Sequence, residues 1–313
     1  MVWGTSLRDL QETLALSLGE VLSLAPCNRL VSRVAEPLEG CKTHALESPP
    51  PILLVDGMWV KIAYPTGDCR LEAQGRRRAG KRKQKRVVLR ALGVWPAGYW
   101  AIVPWKVAEG EQADTWKAFF GERYRQGVTA ATTDLVVSDG ANGLESALDY
   151  HLYGVAHQRC IFHKIKQLAD HVVFGELKVE SSGDAAQATR KAKRQRKNAV
   201  LVEASWVYDG ASAPHMRERA EVCQQVWAER APDAVANFLV DFDKTLASLS
   251  SAFPEPFRGL IRTMNLLERF QQERRRKQRD IEMLQSEQGC ETLWYLLSRR
   301  ETAKQRAMLQ SRL

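Results

Sequence analysis

The order of strand-like and helix-like segments is the sequence feature that most constrains the fold. Three runs rich in β-branched and aromatic residues, 52–55, 59–64 and 86–105, precede the first long helical pattern. A turn at 96–98 divides the last run into antiparallel strands. From residue 160 onward the apolar residues recur almost entirely at helical spacing. Strands followed by a block of helices predict an α/β or α+β core with an all-helical insertion.

Between the early strands and the later helical block, predicted helices and strands alternate along the chain. Residues 113–126 place apolar side chains three and four positions apart, which predicts an amphipathic helix. A strand ending near residue 139, a helix over about 144–152 and a short strand at 154–158 follow. With 313 residues, of which 44% are hydrophobic, the chain is long enough to bury one large core or two smaller ones.

The N-terminal segment, residues 1–48, is predicted to be helical and separate. Apolar residues recur at helical spacing over 5–38, and a proline cluster at 49–51 marks the boundary near 45–50. Residues 6–18 and 27–35 can be read as the two helices of a helix-turn-helix remnant. A helical packing segment fits the same pattern equally well.

A strong positive charge points to a polyanionic partner. The formal charge is +9 and the sequence pI is about 9.3, so nucleic acid is the leading partner, ahead of an anionic membrane or simple solubility. Two basic segments stand out, 75–86 between predicted strands and 190–197 in the helical block. Each alone can be a solvated surface segment, but two together favour phosphate contacts. The candidate DNA-binding residues are Arg76, Arg77, Arg78, Lys81, Arg82, Lys83, Lys85, Arg86, Arg190, Lys191, Lys193 and Arg194.

The cysteines and the apolar runs bear on where the protein works. Six cysteines are scattered without the dense pairing of a secreted disulfide framework, which favours a reducing compartment. No apolar run approaches the length of a membrane span, and the first residues lack a signal-peptide pattern. We therefore expect a cytoplasmic protein with no membrane partner.

Two aspartates follow apolar runs and precede glycines. Asp56 follows "PILLV", and Asp139 follows "LVVS", so each is predicted at a strand end. Binding sites in open α/β sheets tend to lie where strands end. An Asp-Gly pair taken alone is more often a simple turn. Two carboxylates at one sheet edge, however, are oxygen ligands of the kind that Mg²⁺ prefers.

A two-metal site for phosphodiester chemistry usually needs a third carboxylate. Glu268 is the candidate, because it lies in a predicted helix whose buried stripe is Leu260, Ile261, Met264 and Leu267. A glutamate on an exposed helix face does not by itself indicate a function. Glu268 is a candidate ligand only because Asp56 and Asp139 are candidates too.

Three motifs, in this order, resemble the Mutator-type family of DDE transposases, bacterial insertion-sequence branch. They are "LVVSDGANGLESAL", "HQRCIFHKIKQL" and "RTMNLLERFQQERRRKQR" ahead of "ETLWYLL", and the resemblance covers about residues 50–300. It implies an α/β fold, a ribonuclease H-like mixed sheet flanked by helices, with an all-helical insertion between the second and third acids. The implied domains are 49–158 for the first part of the catalytic core, 159–257 for the insertion, and 258–313 for the helices that complete the core.

The resemblance also implies a site and an activity. Asp56, Asp139 and Glu268 correspond to the catalytic, metal-binding triad, holding two Mg²⁺ or Mn²⁺ ions. The activity would be cleavage of DNA at transposon ends, then joining of the freed 3′-OH to target DNA. A homodimer that acts in a prokaryotic cytoplasm, associated with the nucleoid, is expected.

Three further residues, Arg159, Cys160 and His163, match the family's Gln-Arg-Cys-x-x-His string. Cys160 and His163 are expected to pack near the acidic site and to position the following helix. His163 is also a candidate contact to DNA or to a metal-bound water. A zinc site there is weakly supported, because no second ligand pair lies at a suitable spacing. Arg159 is a candidate phosphate contact, or otherwise an ordinary surface arginine.

The chain departs from the family pattern in two places. Gln271 and Gln272 stand where the family usually has an asparagine, and only about 45 residues precede the core. The chain is therefore expected to be an N-terminally truncated copy or a member of a compact subgroup. Two other functions stay open: a non-catalytic DNA-binding relative that regulates a full-length transposase, and another ribonuclease H-like nuclease, for example one acting on RNA–DNA hybrids.

Overall fold

A computed structural model describes residues 34–71, 77–96, 98–171, 184–229, 231–250, 255–268, 284 and 286–310. The chain divides into two compact units. The first comprises the described parts of Met1–Val136, Gly140–Val155 and Asn265–Leu313, and the second comprises those of Val137–Asp139 and Ala156–Met264. Most of the predicted helix-turn-helix segment lies outside the described residues.

Five strands form a mixed sheet in the order β3-β2-β1-β4-β5. The strands are β1 Ile52–Leu71, β2 Arg77–Val94, β3 Trp100–Ala108, β4 Leu135–Ser138 and β5 Ala156–Arg159. The helices are α1 Ala35–Thr43, α2 Ala113–Arg125, α3 Asn142–His151, α4 Ile161–His171, α5 Asp184–Val207, α6 Ala213–Trp227, α7 Pro232–Leu239, a 3-10 helix Phe242–Leu249, α8 Glu255–Ile261 and α9 Glu287–Gln310.

The predicted strands 52–55 and 59–64 are one continuous strand, so the expected strand end at Asp56 is wrong. Asp56 pairs with Arg90 and Gly57 with Leu89 in an unbroken antiparallel ladder between β1 and β2. Adjacent residues of such a ladder alternate between hydrogen-bonded and non-hydrogen-bonded pairs, so β2 holds the backbone of one of the two directly. Pairing with a neighbouring strand has overridden the local turn preference of the Asp-Gly dipeptide.

The basic segment 75–86 was expected between strands, and this too is corrected. Residues 77–86 form the first half of β2 and pair with β1. Lys81, Arg82, Lys83 and Lys85 are exposed, so their expected exposure is confirmed. A strand accommodates them because the ladder holds the backbone while the side chains remain in solvent.

Within the first unit, alternate residues of β1 and β2 enter two different hydrophobic clusters. Leu53, Val55 and Leu89 pack with residues of α2 and α3. Met58, Val60 and Ile62 pack on the opposite face, with Leu38 of α1 and residues of α9. The sheet of this unit is therefore covered on both faces, and the two-residue period of the strands decides which side chain meets which helix.

The start of β4 lies beside the start of β1. The backbone N–H groups of Asp134 and Leu135 donate to the carbonyl oxygen of Pro51, at N···O distances of 2.7 and 3.2 Å. Since both strands set out from this contact, β4 runs parallel to β1. β4 ends at Ser138, and Gly140 has φ of +77°, which confirms the predicted strand end and turn at Asp139.

The second unit contains β5 and the helices from α4 to α8. Its hydrophobic cluster includes Val200 and Ala204 of α5, Cys223 of α6 and Phe238 of α7, all buried. Between Ile161 and Ile261, every regular element in the described ranges is helical. The domain boundaries predicted at 158/159 and 257/258 stay predictions. No helix in the described part of the chain is both long and apolar enough to cross a bilayer.

Candidate functional site

Asp56 lies inside β1 and forms an ion pair with Arg90 on β2. Arg90 Nη2 donates to Asp56 Oδ2. The Arg90 side chain has no exposed surface, whereas 13% of the Asp56 side chain is exposed. The guanidinium also lies 5.7 Å from the ring centroid of Trp294 on α9. The Asp56 carboxylate therefore compensates a buried charge while one edge of it faces solvent.

A second carboxylate, that of Glu111, packs against the residue after Asp56. A Cβ built on Gly57 would lie 2.6 Å from Glu111 Cδ, and one built on Gly143 would lie 2.5 Å from the Glu111 carbonyl oxygen. Glu111 is half-buried and lies just before α2. Gly57 therefore leaves room for the Glu111 carboxylate, and Gly143 leaves room for the Glu111 backbone.

In the second unit, neighbouring groups fix the backbone around Asp139. Arg159 Nη2 donates to the Asp139 carbonyl oxygen at 3.0 Å. Arg159 Nη1 lies 3.5 Å from Asp241 Oδ2, and Asp241 is a non-glycine residue with φ of +55°. The Arg159 side chain is only 11% exposed. In this arrangement Arg159 acts on the Asp139 backbone, and its role as a phosphate contact stays a prediction.

Ser138 and Cys160 add further contacts at the same place. The backbone N–H of Cys160 donates to the Ser138 carbonyl oxygen at 2.7 Å, and Ser138 Oγ lies 2.7 Å from His157 Nε2. Cys160 is buried, and the half-buried His163 ring lies 5.6 Å from the ring of Phe162. Cys160 therefore ties the start of α4 to the end of β4.

Glu268 lies in a short helical turn, residues 265–268, and is half-buried. The helix predicted through this region is interrupted, because α8 ends at Ile261 and residues 262–264 are not helical. Met264 and Leu267 are fully buried, as the apolar stripe predicted. The basic residues that follow Glu268 lie outside the described residues.

The predicted triad is divided between the two units. Asp56 and Glu268 belong to the first unit and Asp139 to the second. Among the described residues, no group of three or more His, Cys, Asp or Glu side chains is arranged to hold a metal ion. The triad, the metal and the zinc alternative therefore stay at the level of prediction.

The predicted DNA-binding residues fall on two elements. On β2, Arg86 Nη2 forms an ion pair with Glu109 at 3.0 Å, and Arg86 Nε donates to Tyr64 Oη at 3.2 Å. On α5, Arg190, Lys191 and Arg194 are exposed and Lys193 is half-buried. The side chains of residues 76–78 lie outside the described part.

Three residues near these positions were missed in the sequence. Arg90 had a visible signal, because a single charge inside the apolar run "VVLRALGV" requires a buried counter-ion on the neighbouring strand. Glu111 and Asp241 had none, since both lie in connections and acquire their contacts only in the folded chain.

The comparisons with known proteins agree on one family. The chain matches the family "Transposase, Mutator family" over residues 1–179 and 185–305. It is 22% identical over 289 residues to a transposase for insertion sequence element ISRM5 of Rhizobium meliloti, covering 92% of this chain and 63% of that protein. It is 27% identical over 296 residues to a transposase for insertion sequence element IS406 of Burkholderia multivorans, covering 92% of this chain and 65% of that protein.

The chain thus spans less than two thirds of the length of either relative. A Drosophila P element transposase strand transfer complex is similar at a TM-score of 0.31 and 11% identity, over 98% of this chain and 81% of that one. A TM-score of this size does not identify a shared fold. The family match extends over nearly all of the sequence, and the chain belongs to the Mutator family of transposases.

Proposed function

We propose that this chain is the catalytic region of a DNA transposase that cleaves DNA at transposon ends and transfers the freed strand to target DNA by a DDE two-metal mechanism. Membership of the Mutator family is the observation that carries the proposal. The site consists of Asp56, Asp139 and Glu268. A homodimer would hold the two transposon ends together, in a prokaryotic cytoplasm at the nucleoid.

The topology of the sheet supports the proposed catalytic core. The strand order β3-β2-β1-β4-β5, antiparallel through β1 to β3, supports a ribonuclease H-like core.

The donor set suits a hard divalent cation. All three side chains offer carboxylate oxygens, and all three residues are half-buried, which leaves each partly open to solvent. When bound, two Mg²⁺ or Mn²⁺ ions would activate the attacking oxygen and stabilise the leaving one.

The protein's own groups would position these ligands. Arg90 holds one oxygen of Asp56 and so fixes the direction of its carboxylate. Arg159 holds the Asp139 backbone at the turn after β4. Basic residues outside the site would bind the phosphates on either side of the scissile bond.

The long helix α5 is proposed as one of those phosphate-binding elements. Between residues 185 and 202 it carries six basic residues and no acidic one, and three of the predicted contacts, Arg190, Lys191 and Arg194, are exposed. A helical surface of one sign attracts the DNA backbone without reading its sequence. Helix α5 is therefore proposed to contribute to the affinity for DNA and not to the choice of DNA sequence.

The test is a nicking and strand-transfer assay with Mn²⁺ on DNA that carries the element's terminal repeats. Asp139→Asn is expected to abolish product while DNA binding and the melting temperature stay unchanged. Asp149→Asn, which neutralises an exposed aspartate on α3, is the matched control and should retain activity. Nicking that survives in Asp139→Asn would refute the proposed mechanism.

A second candidate function is a non-catalytic DNA-binding relative that regulates a full-length transposase. The exposed basic residues of β2 and α5 favour it, because they would bind phosphates without a metal site. Adding the purified chain to a full-length enzyme distinguishes the two. Inhibition by a chain that itself lacks metal-dependent cleavage would favour the regulator.

A further inference from the structure

The β1–β2 hairpin extends beyond the part of the sheet that β3 covers, and its two faces differ. β3 pairs with β2 from Val87 onward, whereas β1 pairs with β2 as far as Leu71 and Arg77. Directly opposite residues of an antiparallel pair point to the same face. One face of this ribbon, here called the lysine face, consists of four opposed pairs: Trp59 with Val87, Lys61 with Lys85, Ala63 with Lys83, and Pro65 with Lys81.

The opposite face of the ribbon is occupied by the protein itself. Val60 and Ile62 are buried there in the cluster that includes α9. Tyr64 Oη donates to Glu287 at 2.8 Å, and Arg86 forms its ion pair with Glu109. On the lysine face six of the eight residues are exposed, while Ala63 and Val87 are fully buried.

The lysine face concentrates positive charge. Lys61, Lys81, Lys83 and Lys85 are all exposed, and none of the eight positions on this face is acidic. Lys61 and Lys85 lie directly opposite each other, a like-charge arrangement that destabilises a strand pair. Trp59 next to them is 52% exposed. An anionic partner would offset the repulsion, and the exposed indole offers it an apolar contact.

We propose that the lysine face binds duplex DNA, with the two-stranded ribbon lying along the major groove. That groove is wide enough to admit a two-stranded ribbon. Three lysines on alternate positions of β2 place their charges about 7 Å apart along one line. Arg82 and Arg86, predicted from the sequence as DNA contacts, belong to the opposite face and are excluded from this one.

The lysine face is separate from the proposed metal site. Asp56 belongs to the other set of alternate β1 residues, together with Met58, Val60 and Ile62, so its carboxylate points to the face opposite the lysine face.

The binding test uses a plain duplex in the presence of a chelator, so that it does not require cleavage. The logarithm of the binding constant is measured against the logarithm of salt concentration. Each phosphate contact contributes a slope of about 0.9, so the triple variant Lys81→Gln/Lys83→Gln/Lys85→Gln should reduce the magnitude of the slope by nearly three. Circular dichroism and thermal melting verify that the variant is folded.

Two adjacent residues supply the matched control. Lys83→Gln should reduce the slope by about one, whereas Arg82→Gln removes the same charge from the opposite face and should reduce it by clearly less. Equal effects of the two variants, or an unchanged slope in the triple variant, would refute DNA binding by the lysine face. Tighter binding of single-stranded DNA than of the duplex would refute binding in the major groove.

A nicking assay with metal separates this proposal from the proposed function. If the triple variant lowers the salt slope but no nicking is found with metal, DNA binding by the lysine face is supported and the catalytic proposal is refuted. If nicking occurs and the triple variant leaves the slope unchanged, only DNA binding by the lysine face is refuted.

Discussion

Asp56 has two roles that an experiment must separate. It is a proposed metal ligand, and it is also the counter-ion of the fully buried Arg90. A charge left unpaired in a protein interior is far more costly than the same charge in water. Loss of activity in an Asp56 variant can therefore come from the site or from the fold, and the choice of substitution decides which is measured.

Asp56→Ala is expected to lower the free energy of unfolding by about 3 kcal/mol or more, because it leaves the Arg90 guanidinium without its carboxylate. Asp56→Asn retains an oxygen that accepts from Arg90 and should cost clearly less. Urea denaturation of both variants measures the difference. Equal stability of Asp56→Ala and the wild type would show that the ion pair does not support the fold.

The two glycines beside Glu111 give a matched pair of substitutions. Gly57→Ala meets the Glu111 carboxylate, the movable end of a side chain, whereas Gly143→Ala meets the Glu111 carbonyl oxygen and the Ala113 backbone nitrogen. We expect Gly143→Ala to destabilise by about 1–3 kcal/mol, a typical cost of overpacking. Gly57→Ala is expected to cost less, since the carboxylate can move away.

A double-mutant cycle tests the difference in mechanism. Adding Glu111→Ala should restore the stability lost in Gly57→Ala but not that lost in Gly143→Ala, because truncation leaves the backbone in place. Thermal melting of the single and double variants is the readout. Rescue of both glycine variants, or of neither, would contradict the packing described around Glu111.

At the scale of elements, Gln158 connects β5 to the 3-10 helix. Its side chain is fully buried; Nε2 donates to the Thr245 carbonyl oxygen at 2.6 Å, and Oε1 accepts from the Ser248 backbone N–H at 2.8 Å. One side-chain amide thus satisfies a backbone donor and a backbone acceptor of the 3-10 helix.

Gln158→Leu should destabilise the protein by about 2–4 kcal/mol, because two buried backbone groups lose their partners. Gln167→Leu, at an exposed position of α4, is the control and should change stability by less than about 0.5 kcal/mol. Hydrogen exchange at the Ser248 amide provides a local readout. Unchanged protection there in Gln158→Leu would argue against the connection.

The elements also show how far sequence reasoning reached. The helix over 113–126 and the strand that ends before Asp139 were predicted nearly to the residue, because local periodicity and a glycine turn specify them. The continuous β1 was not predicted, since the ladder partner of Asp56 lies 34 residues away. Glu111 could not be found either, because its position depends on two glycines in other segments.

At the scale of the whole molecule, burial of a thiol makes stability depend on pH. Burial, with a smaller contribution from the negative charge of Glu203, raises the pKa of Cys223 from 9.0 to about 11. The folded state therefore binds this proton more tightly than the unfolded state does. The resulting stabilisation is complete below about pH 9 and is lost as the pH rises through about 11.

Urea denaturation at a series of pH values from 8 to 11 should show this loss. In Cys223→Ala the free energy of unfolding should fall less steeply with pH than in the wild type, because the titrating thiol is gone. Cys69→Ala, which removes an exposed thiol on β1, is the control for the loss of a thiol. Identical slopes in Cys223→Ala and the wild type would refute the assignment.

The ribbon of β1 and β2 has one more consequence, which concerns solubility. In the described pairings, β3 pairs with β2 from Val87 onward, and the part of β2 before Val87 carries Lys81, Lys83 and Lys85. Lysines on such a strand repel an identical strand and prevent edge-to-edge association. The charges proposed to hold DNA would also keep separate molecules from joining into fibres when no DNA is bound.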